Sequence, residues 1–526
     1  GQGQVPPPSV AGTAWLVLSD SSGVGEALAA GLRGSGARVS VATPGMGYSH
    51  DGDRFTVRPG MAEDVRRLLR AAAPLGSSAW RGVIHLWSLD VAVGPGASSE
   101  DLAWARRVSC DSCIQVLNAL QTGQAGVLPR GFWIVTRGAQ HVHDSQSSFA
   151  PHQSLVWGIG KAAACEHSRS WGGMIDLDPE QDVDAATDVL KVILAPPVPV
   201  EFALRRGTWH APRVQSLPSP SSSMPIQPLR PDGTYLVTGG LGGIGYETAK
   251  WLIENGARHL ALVGRRTLPQ RRQWSQASPG SDARQMIERL RHLESMGADV
   301  TYAAVDVTSE PAVRGFTEAC RNEMRPPICG VMHAAGSLAD ALIRDTTPEL
   351  LARILGPKVD GTTFLLRHLV GSPLDFFVAF SSSSSVIGPA GSAAYAAANS
   401  FLDAVCSVER ASGTPYVAVD WGPWGDIGMA GAEARSQRLA QRGIPPLRKE
   451  EGVAGLEHVL TTMPRRLLIV RVDWPRFATD LPTAVRAGLL ADFASPDCLA
   501  CGTDEGRAET EGDWQETASI QLKLKE

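Results

Sequence analysis

Ser382, Tyr395 and Asn399 stand in the stretch SSSSSVIGPAGSAAYAAAN, residues 381–399. Their side chains could serve the reduction of a ketone. Hydride transfer to a carbonyl carbon builds an alkoxide, which needs a proton donor and oriented hydrogen bonds. A tyrosine hydroxyl can give the proton, although its ordinary pKa of about 10 is high for the task. A neighbouring ammonium lowers that pKa by favouring the phenolate. A serine hydroxyl can hold the carbonyl oxygen, and an asparagine amide can fix a lysine or a relay water. The lysine is the partner that this stretch lacks. The other serines of the run, 381 and 383 to 385, read as strand-end and loop residues.

Such a set needs a hydride source, and the chain offers a place for one. TGGLGGIG, residues 238–245, follows an apolar strand and opens an amphipathic helix. Its glycines let backbone amides approach a pyrophosphate, and the helix N-terminus favours the negative charge. Thr238, Gly239, Gly240, Gly242, Gly243, Ile244 and Gly245 are therefore candidate dinucleotide contacts. The next strand ends in LALVGRR, with Arg265 and Arg266 where many NAD enzymes carry an acid. A guanidinium there can hold a 2′-phosphate bidentately, which favours NADPH. AVDVT, residues 304–308, ends the third strand; Asp306 there could accept a hydrogen bond from the adenine amine, and Val307 is a further cofactor candidate.

The elements around these residues occur twice. GTAWLVLSDSSGVGEALAAGLRGSGARVSVA starts at Gly12, and GTYLVTGGLGGIGYETAKWLIENGARHLALV at Gly233. GVIHLWSLD (82–90) echoes GVMHAAGSLAD (330–340), and GFWIVTRG (131–138) echoes DFFVAFSS (375–382). Alternating strands and helices in both halves predict an α/β fold with two Rossmann-like, doubly wound parallel-sheet subdomains. The first is degenerate. Its turn, LSDSSGVG, lacks three of the glycines and has Asp20 at the mouth, where an acid repels a phosphate. PHQSLVWGIGKAAACEH (151–167) stands where the second half has its Tyr and Asn, and has neither. The first half is thus expected to be a packing partner without a cofactor. The predicted divisions are 1–215 (structural), 216–232 (a Pro/Ser-rich linker), 233–480 (catalytic) and 481–526 (a connecting tail).

Bulk properties exclude several classes. The 526 residues carry a net charge of −5, so no basic footprint points to nucleic acid. No apolar run is long enough to span a membrane, which predicts a soluble, cytoplasmic protein. Eight scattered cysteines do not form a disulfide framework. Two CxxC pairs, Cys110/Cys113 and Cys498/Cys501, make a zinc site only if they meet, and no metal is expected.

The glycine turn followed by Ser and then Tyr resembles the short-chain dehydrogenase/reductases. Most of that family place lysine four residues after the tyrosine, where this chain has Asn399. That exchange resembles the ketoreductase domains of modular polyketide synthases, in which the lysine comes earlier in a PKVDG-like segment. GPKVDGT supplies Lys358, 24 residues before Ser382, which is 13 before Tyr395. The resemblance covers roughly residues 10 to 480, including GKAAACEH…GGMIDLD, VDWGPWGDIGMA and VDWPRF. It implies roles. Tyr395 protonates the alkoxide, Ser382 polarises the β-carbonyl, Lys358 lowers the tyrosine pKa and holds the nicotinamide ribose, and Asn399 orders the network. Ala334, Ala335, Gly336, Pro423 and Trp424 add to the cofactor wall, and GAEARSQRLAQRGIPPL forms a helical lid. The implied substrate is a β-ketoacyl group on the phosphopantetheine of an acyl carrier protein, beside neighbouring synthase domains.

The same resemblance bears on stereochemistry. Domains giving a D-hydroxy product, called B-type, carry an LDD motif; the A-type carries a tryptophan upstream of the tyrosine. Here the segment is GSLADAL, with Ala339 in place of the first aspartate and Asp340 present as the substrate-orienting residue. The tryptophan position is Ile387, so B-type is expected, although the secondary markers are replaced by Ala390 and Ala394. Ala397, where an L-methyl-selecting enzyme has proline, leans toward unbranched or D-methyl substrates. The competing readings are a redox-inactive scaffold or epimerase-only domain, an NADPH-sensing regulator, and a fatty-acid-synthase-type ketoreductase.

Overall fold

The structure is a computed structural model. It describes residues 10–72, 80–94, 96–121, 131–143, 146, 148–181, 184–194, 200–217, 229–322, 326–409, 413–425, 427, 433–479, 481–490 and 518–525.

The first half contributes β1 (Ala14–Leu18), β2 (Arg38–Pro44), β3 (Ser49–Asp51), β4 (Arg54–Val57), β5 (Trp80–His85), β6 (Phe132–Arg137), β7 (Trp171–Leu177), β8 (Glu201–Arg205) and β9 (Thr208–Ser216). Seven of these are parallel in the order β4-β2-β1-β5-β6-β7-β8, with β3 and β9 antiparallel at the two edges. The second half contributes β10 (Thr234–Thr238), β11 (His259–Gly264), β12 (Asp299–Ala304), β13 (Ile328–His333), β14 (Phe376–Ser382), β15 (Tyr416–Trp421) and β16 (Arg466–Val470). They are parallel in the order β12-β11-β10-β13-β14-β15-β16, the same winding a second time. The inner strands β1, β10, β13 and β15 are buried along their whole length, as expected for a parallel sheet covered on both faces.

The helix Thr483–Leu489 follows the catalytic half, and Ala518–Lys525 forms β17, antiparallel to both β16 and β9. The two sheets are therefore joined through a strand in a segment that reads, in sequence, as connection only. ASIQLKLK alternates apolar and polar residues, a period-2 signal that short length obscures. Residues 491–517, including Cys498 and Cys501, lie outside the described residues, as do 218–228 of the predicted linker. Cys110 and Cys113 are buried in a helical segment. Among the described residues no helix is long and apolar enough to cross a membrane, and no cluster could hold a metal ion.

The halves meet through two equivalent helices, Leu155–Glu166 and Ala393–Glu409. Ala393, Ala396, Ala397 and Ala398 are all buried, and a Cβ on Gly158 would overlap the backbone of Ala396 and Ala397. The alanines around Tyr395 thus serve a close helix crossing, in which small residues let the backbones approach. One apolar core includes Trp157 and Ile159 from the first half with Ala397 and Phe401 from the second.

Candidate active site

The site grows from the carboxyl ends of β10, β13 and β14. After β10 the chain turns at Gly239, whose φ of +69° is a left-handed conformation that glycine adopts without strain. A Cβ on Gly245 would overlap the carbonyl of Gly239, so only glycine lets the helix Gly243–Glu254 start so close to the turn. Gly242 caps that helix without a side-chain hydrogen bond and is exposed. This glycine cradle at a helix N-terminus fits the pyrophosphate of a dinucleotide.

The equivalent turn of the first half is filled by its own anion. The buried Asp20 carboxylate accepts from the amides of Gly25 (2.7 Å) and Ser22 (3.0 Å). Besides placing a negative charge at the mouth, Asp20 takes up donors of the turn itself.

A buried relay runs behind the second turn. The Ala335 amide donates to Thr238 Oγ1 at 3.1 Å, and the Thr238 hydroxyl lies 2.7 Å from His333 Nδ1. His333 Nε2 lies 3.1 Å from the carbonyl of Pro357, the residue before Lys358. Because a carbonyl only accepts, Nε2 carries the proton and Nδ1 accepts from Thr238. Burial, aided by the Lys358 charge, pushes the His333 pKa down to about 3, so the ring stays neutral. Sequence reasoning did not single out His333, although its counterpart His85 in the repeated GV-x-H segment was a signal.

Lys358 sits in the turn between the helices Pro348–Leu355 and Asp360–Leu369. It is 2% exposed, and its Nζ donates to the Phe380 carbonyl at 2.5 Å. Burial pulls its pKa down to about 8, against the pull of the Asp403 carboxylate. Ser382 ends β14, and the Ser384 amide donates to its Oγ at 3.3 Å. Tyr395 lies in the first turn of the helix Ala393–Glu409. One turn on, Asn399 Nδ2 donates to the Tyr395 carbonyl at 2.7 Å, while its Oδ1 is buried without a hydrogen-bond partner. An orphaned buried acceptor is costly, so a donor is expected there when the site is loaded.

Lys358, Ser382 and Tyr395 line one cleft of about 120 Å³, together with Ile244, Ala334, Leu338, Ile387, Pro423, Trp424, Leu439 and Ile444. Asn399 is fully buried and does not line this cleft. Trp424 contributes from the core: its ring packs against Trp421 and over Gly452. Leu439 belongs to the helix Glu433–Gln441, part of the expected lid; residues 431–432 of that segment lie outside the described residues. A larger cavity of about 680 Å³ lies between the halves, walled by Lys161, Glu201, Asp403 and Arg466, and holds none of the four.

The remaining candidates lie further out. Arg265 and Arg266 are exposed at the end of β11, and Arg266 pairs with Asp282 at 2.9 Å. Asp306 Oδ1 accepts from the amide (3.0 Å) and hydroxyl (2.8 Å) of Thr308, while Val307 is buried. Asp340 is exposed and lies 3.6 Å from Arg438 of the helix Glu433–Gln441.

Comparison with known proteins agrees with this geometry. Residues 233–426 match the family described as KR domain, and residues 38–214 the Rossmann fold domain of polyketide synthase extender module SpnB. The chain is 34% identical over 446 residues to polyketide synthase GfsA of Streptomyces halstedii, covering 84% of this chain and 6% of that protein. It is 32% identical over 480 residues to pikromycin polyketide synthase component PikAIII of Streptomyces venezuelae, covering 91% and 27%. The chain thus spans well under a third of these relatives' length. A solved structure described as an A1-type ketoreductase superposes with a TM-score of 0.75 at 26% identity, covering 94% of this chain and 98% of that one. With both halves matched and the cleft assembled between the glycine turn and the Tyr395 helix, the chain belongs to the ketoreductase domains of modular polyketide synthases.

Proposed function

We propose that the chain reduces the β-keto group of an acyl thioester, held on the phosphopantetheine of an acyl carrier protein, with NADPH as reductant. The observation that carries this reading is the meeting of Ser382, Tyr395 and Lys358 in one cleft with Ile244 of the glycine turn. The dinucleotide, once bound along Gly239 to Gly245, supplies the hydride. The chain's residues then handle the oxygen. Ser382 donates a hydrogen bond to the carbonyl. Tyr395 gives its phenolic proton to the forming alkoxide. The Lys358 ammonium favours the resulting phenolate. Asn399, tied to the Tyr395 carbonyl, offers Oδ1 to the same network.

NADPH over NADH is supported by Arg265 and Arg266 beyond β11. A D-hydroxy, B-type product is supported by Asp340 beside the lid and by Ile387, which stands in the cleft where the A-type has tryptophan. Similarity to an A1-type structure speaks for the shared fold and leaves this stereochemical reading to the product. Following NADPH oxidation with a β-ketoacyl thioester, with and without Tyr395→Phe, tests the activity. Wild-type turnover that the variant loses is expected; no turnover, or an unaffected variant, would overturn it.

A further inference from the structure

Glu166 ends the Leu155–Glu166 helix of the first half, yet its carboxylate serves the second half. Oε2 accepts the amide of Ile343 at 2.8 Å, and Oε1 accepts the amide of Gly391 at 2.8 Å. These amides belong to different loops. One runs from β13 past Leu338 and Asp340; the other connects Ile387 to the Tyr395 helix. The loops also touch directly, through the Ala341 amide and the Gly391 carbonyl at 3.0 Å. Gly391 has φ +84°, so the second loop takes a path that glycine permits and the carboxylate pins. Leu338 and Ile387, one from each loop, line the same cleft, and Asp340 lies between this junction and the lid.

We propose that Glu166 is a positioning residue for the reaction of the other half: it holds the Asp340 loop at a fixed distance from the first turn of the Tyr395 helix, and thereby sets which face of the ketone is presented. The inference rests on the ketoreductase reading but on neither product configuration. It gives the half without chemistry of its own a share in selectivity, beyond packing. A carboxylate suits the task because one group can accept from two amides at once. Glutamine of the same size keeps one acceptor and turns an NH₂ toward the other amide.

The test uses the full chain with Glu166→Gln and Glu166→Ala. A β-ketoacyl N-acetylcysteamine thioester is reduced with NADPH, and the alcohol stereoisomers are separated by chiral chromatography. NADPH affinity is measured by fluorescence, and hydrogen exchange is followed at 338–345 and 388–394. Expected are a loss of roughly tenfold in isomer ratio, a rise in substrate KM, NADPH affinity within about twofold, and faster exchange in both loops. Folded variants with unchanged isomer ratio and loop exchange would overturn the inference alone. If Glu166→Ala fails to fold, Glu166→Gln decides by the same two readouts. A wild-type chain without turnover would overturn the ketoreductase reading and this inference with it.

Discussion

The ammonium of Lys358 lies 5.9 Å from the centre of the Tyr395 ring, the lysine buried and the tyrosine half-buried at the edge of one cleft. The lysine comes from a turn after β13 and the tyrosine from the helix after β14, so two neighbouring strands bring the pair together. At this range a buried ammonium is screened less by water than one at the surface.

Removing the proposed proton donor has the most direct consequence. Tyr395→Phe keeps the ring and its packing and loses the hydroxyl. Turnover should fall ~100-fold or more while NADPH binding is retained. A variant keeping more than about a tenth of the wild-type rate would place the acid elsewhere.

The pH profile should carry the Lys358 signature. Its pKa is pulled down to about 8, so the ammonium is present below that pH and lost above it. The proposed support for the phenolate goes with it. For reduction, kcat/KM should decline as pH rises through about 8, and Lys358→Met should be slow throughout and lack that limb. A wild-type profile flat from about pH 7 to 9 would separate Lys358 from the chemistry.

Cofactor preference should reside at the end of β11. Arg265→Ala with Arg266→Ala removes two candidate charge-assisted contacts of ~1.5–3 kcal/mol each, a drop of at least about tenfold in NADPH-over-NADH preference. Because Arg266 also pairs with Asp282, Arg265→Ala alone should account for the larger share. Paired KM measurements decide, and an unchanged ratio would point the 2′-phosphate to other residues.

The helix crossing should be sensitive to a single carbon. A Cβ on Gly158 meets the backbone of Ala396 and Ala397, which cannot rotate away. Gly158→Ala should destabilise by ~1–3 kcal/mol and slow turnover, since the displaced helix carries Tyr395. Calorimetry beside the NADPH assay checks both. Because the halves pack on one another, residues 225–480 expressed alone should be poorly soluble, and because Asp20 occupies the first turn, residues 10–215 alone should bind no NADPH; an active, stable C-terminal fragment would show the first half to be dispensable.

The product should be the D-alcohol, and Asp340→Ala should erode or reverse that preference. A ratio of roughly 100:1 corresponds to about 2.7 kcal/mol between two transition states, within reach of one repositioned loop. Chiral chromatography of the wild-type product showing mainly the L-alcohol would refute the B-type reading.

Much of this was readable along the chain, because it depends on neighbours in sequence. Apolar strands, glycine turns and amphipathic helices declared an α/β fold used twice, and the winding of both sheets follows that order. Tyr395 and Asn399 are one helical turn apart, so their contact is set by helix geometry. Lys358 is identified through family resemblance; nothing local ties GPKVDGT to a tyrosine 37 positions later. The structure alone decided what comes from separate elements. His333 links the glycine turn to the Lys358 loop because β10 and β13 are adjacent strands. Asp20 reaches the amides of its own turn, which composition could read only as a charge at the mouth. Residues 518–525 pair with both β16 and β9, one strand from each half. Glu166 stands 225 positions before the Gly391 amide it holds, and only the crossing of two equivalent helices brings them within hydrogen-bonding distance. The sequence determined which groups exist and which elements carry them; packing between the halves determined which groups meet.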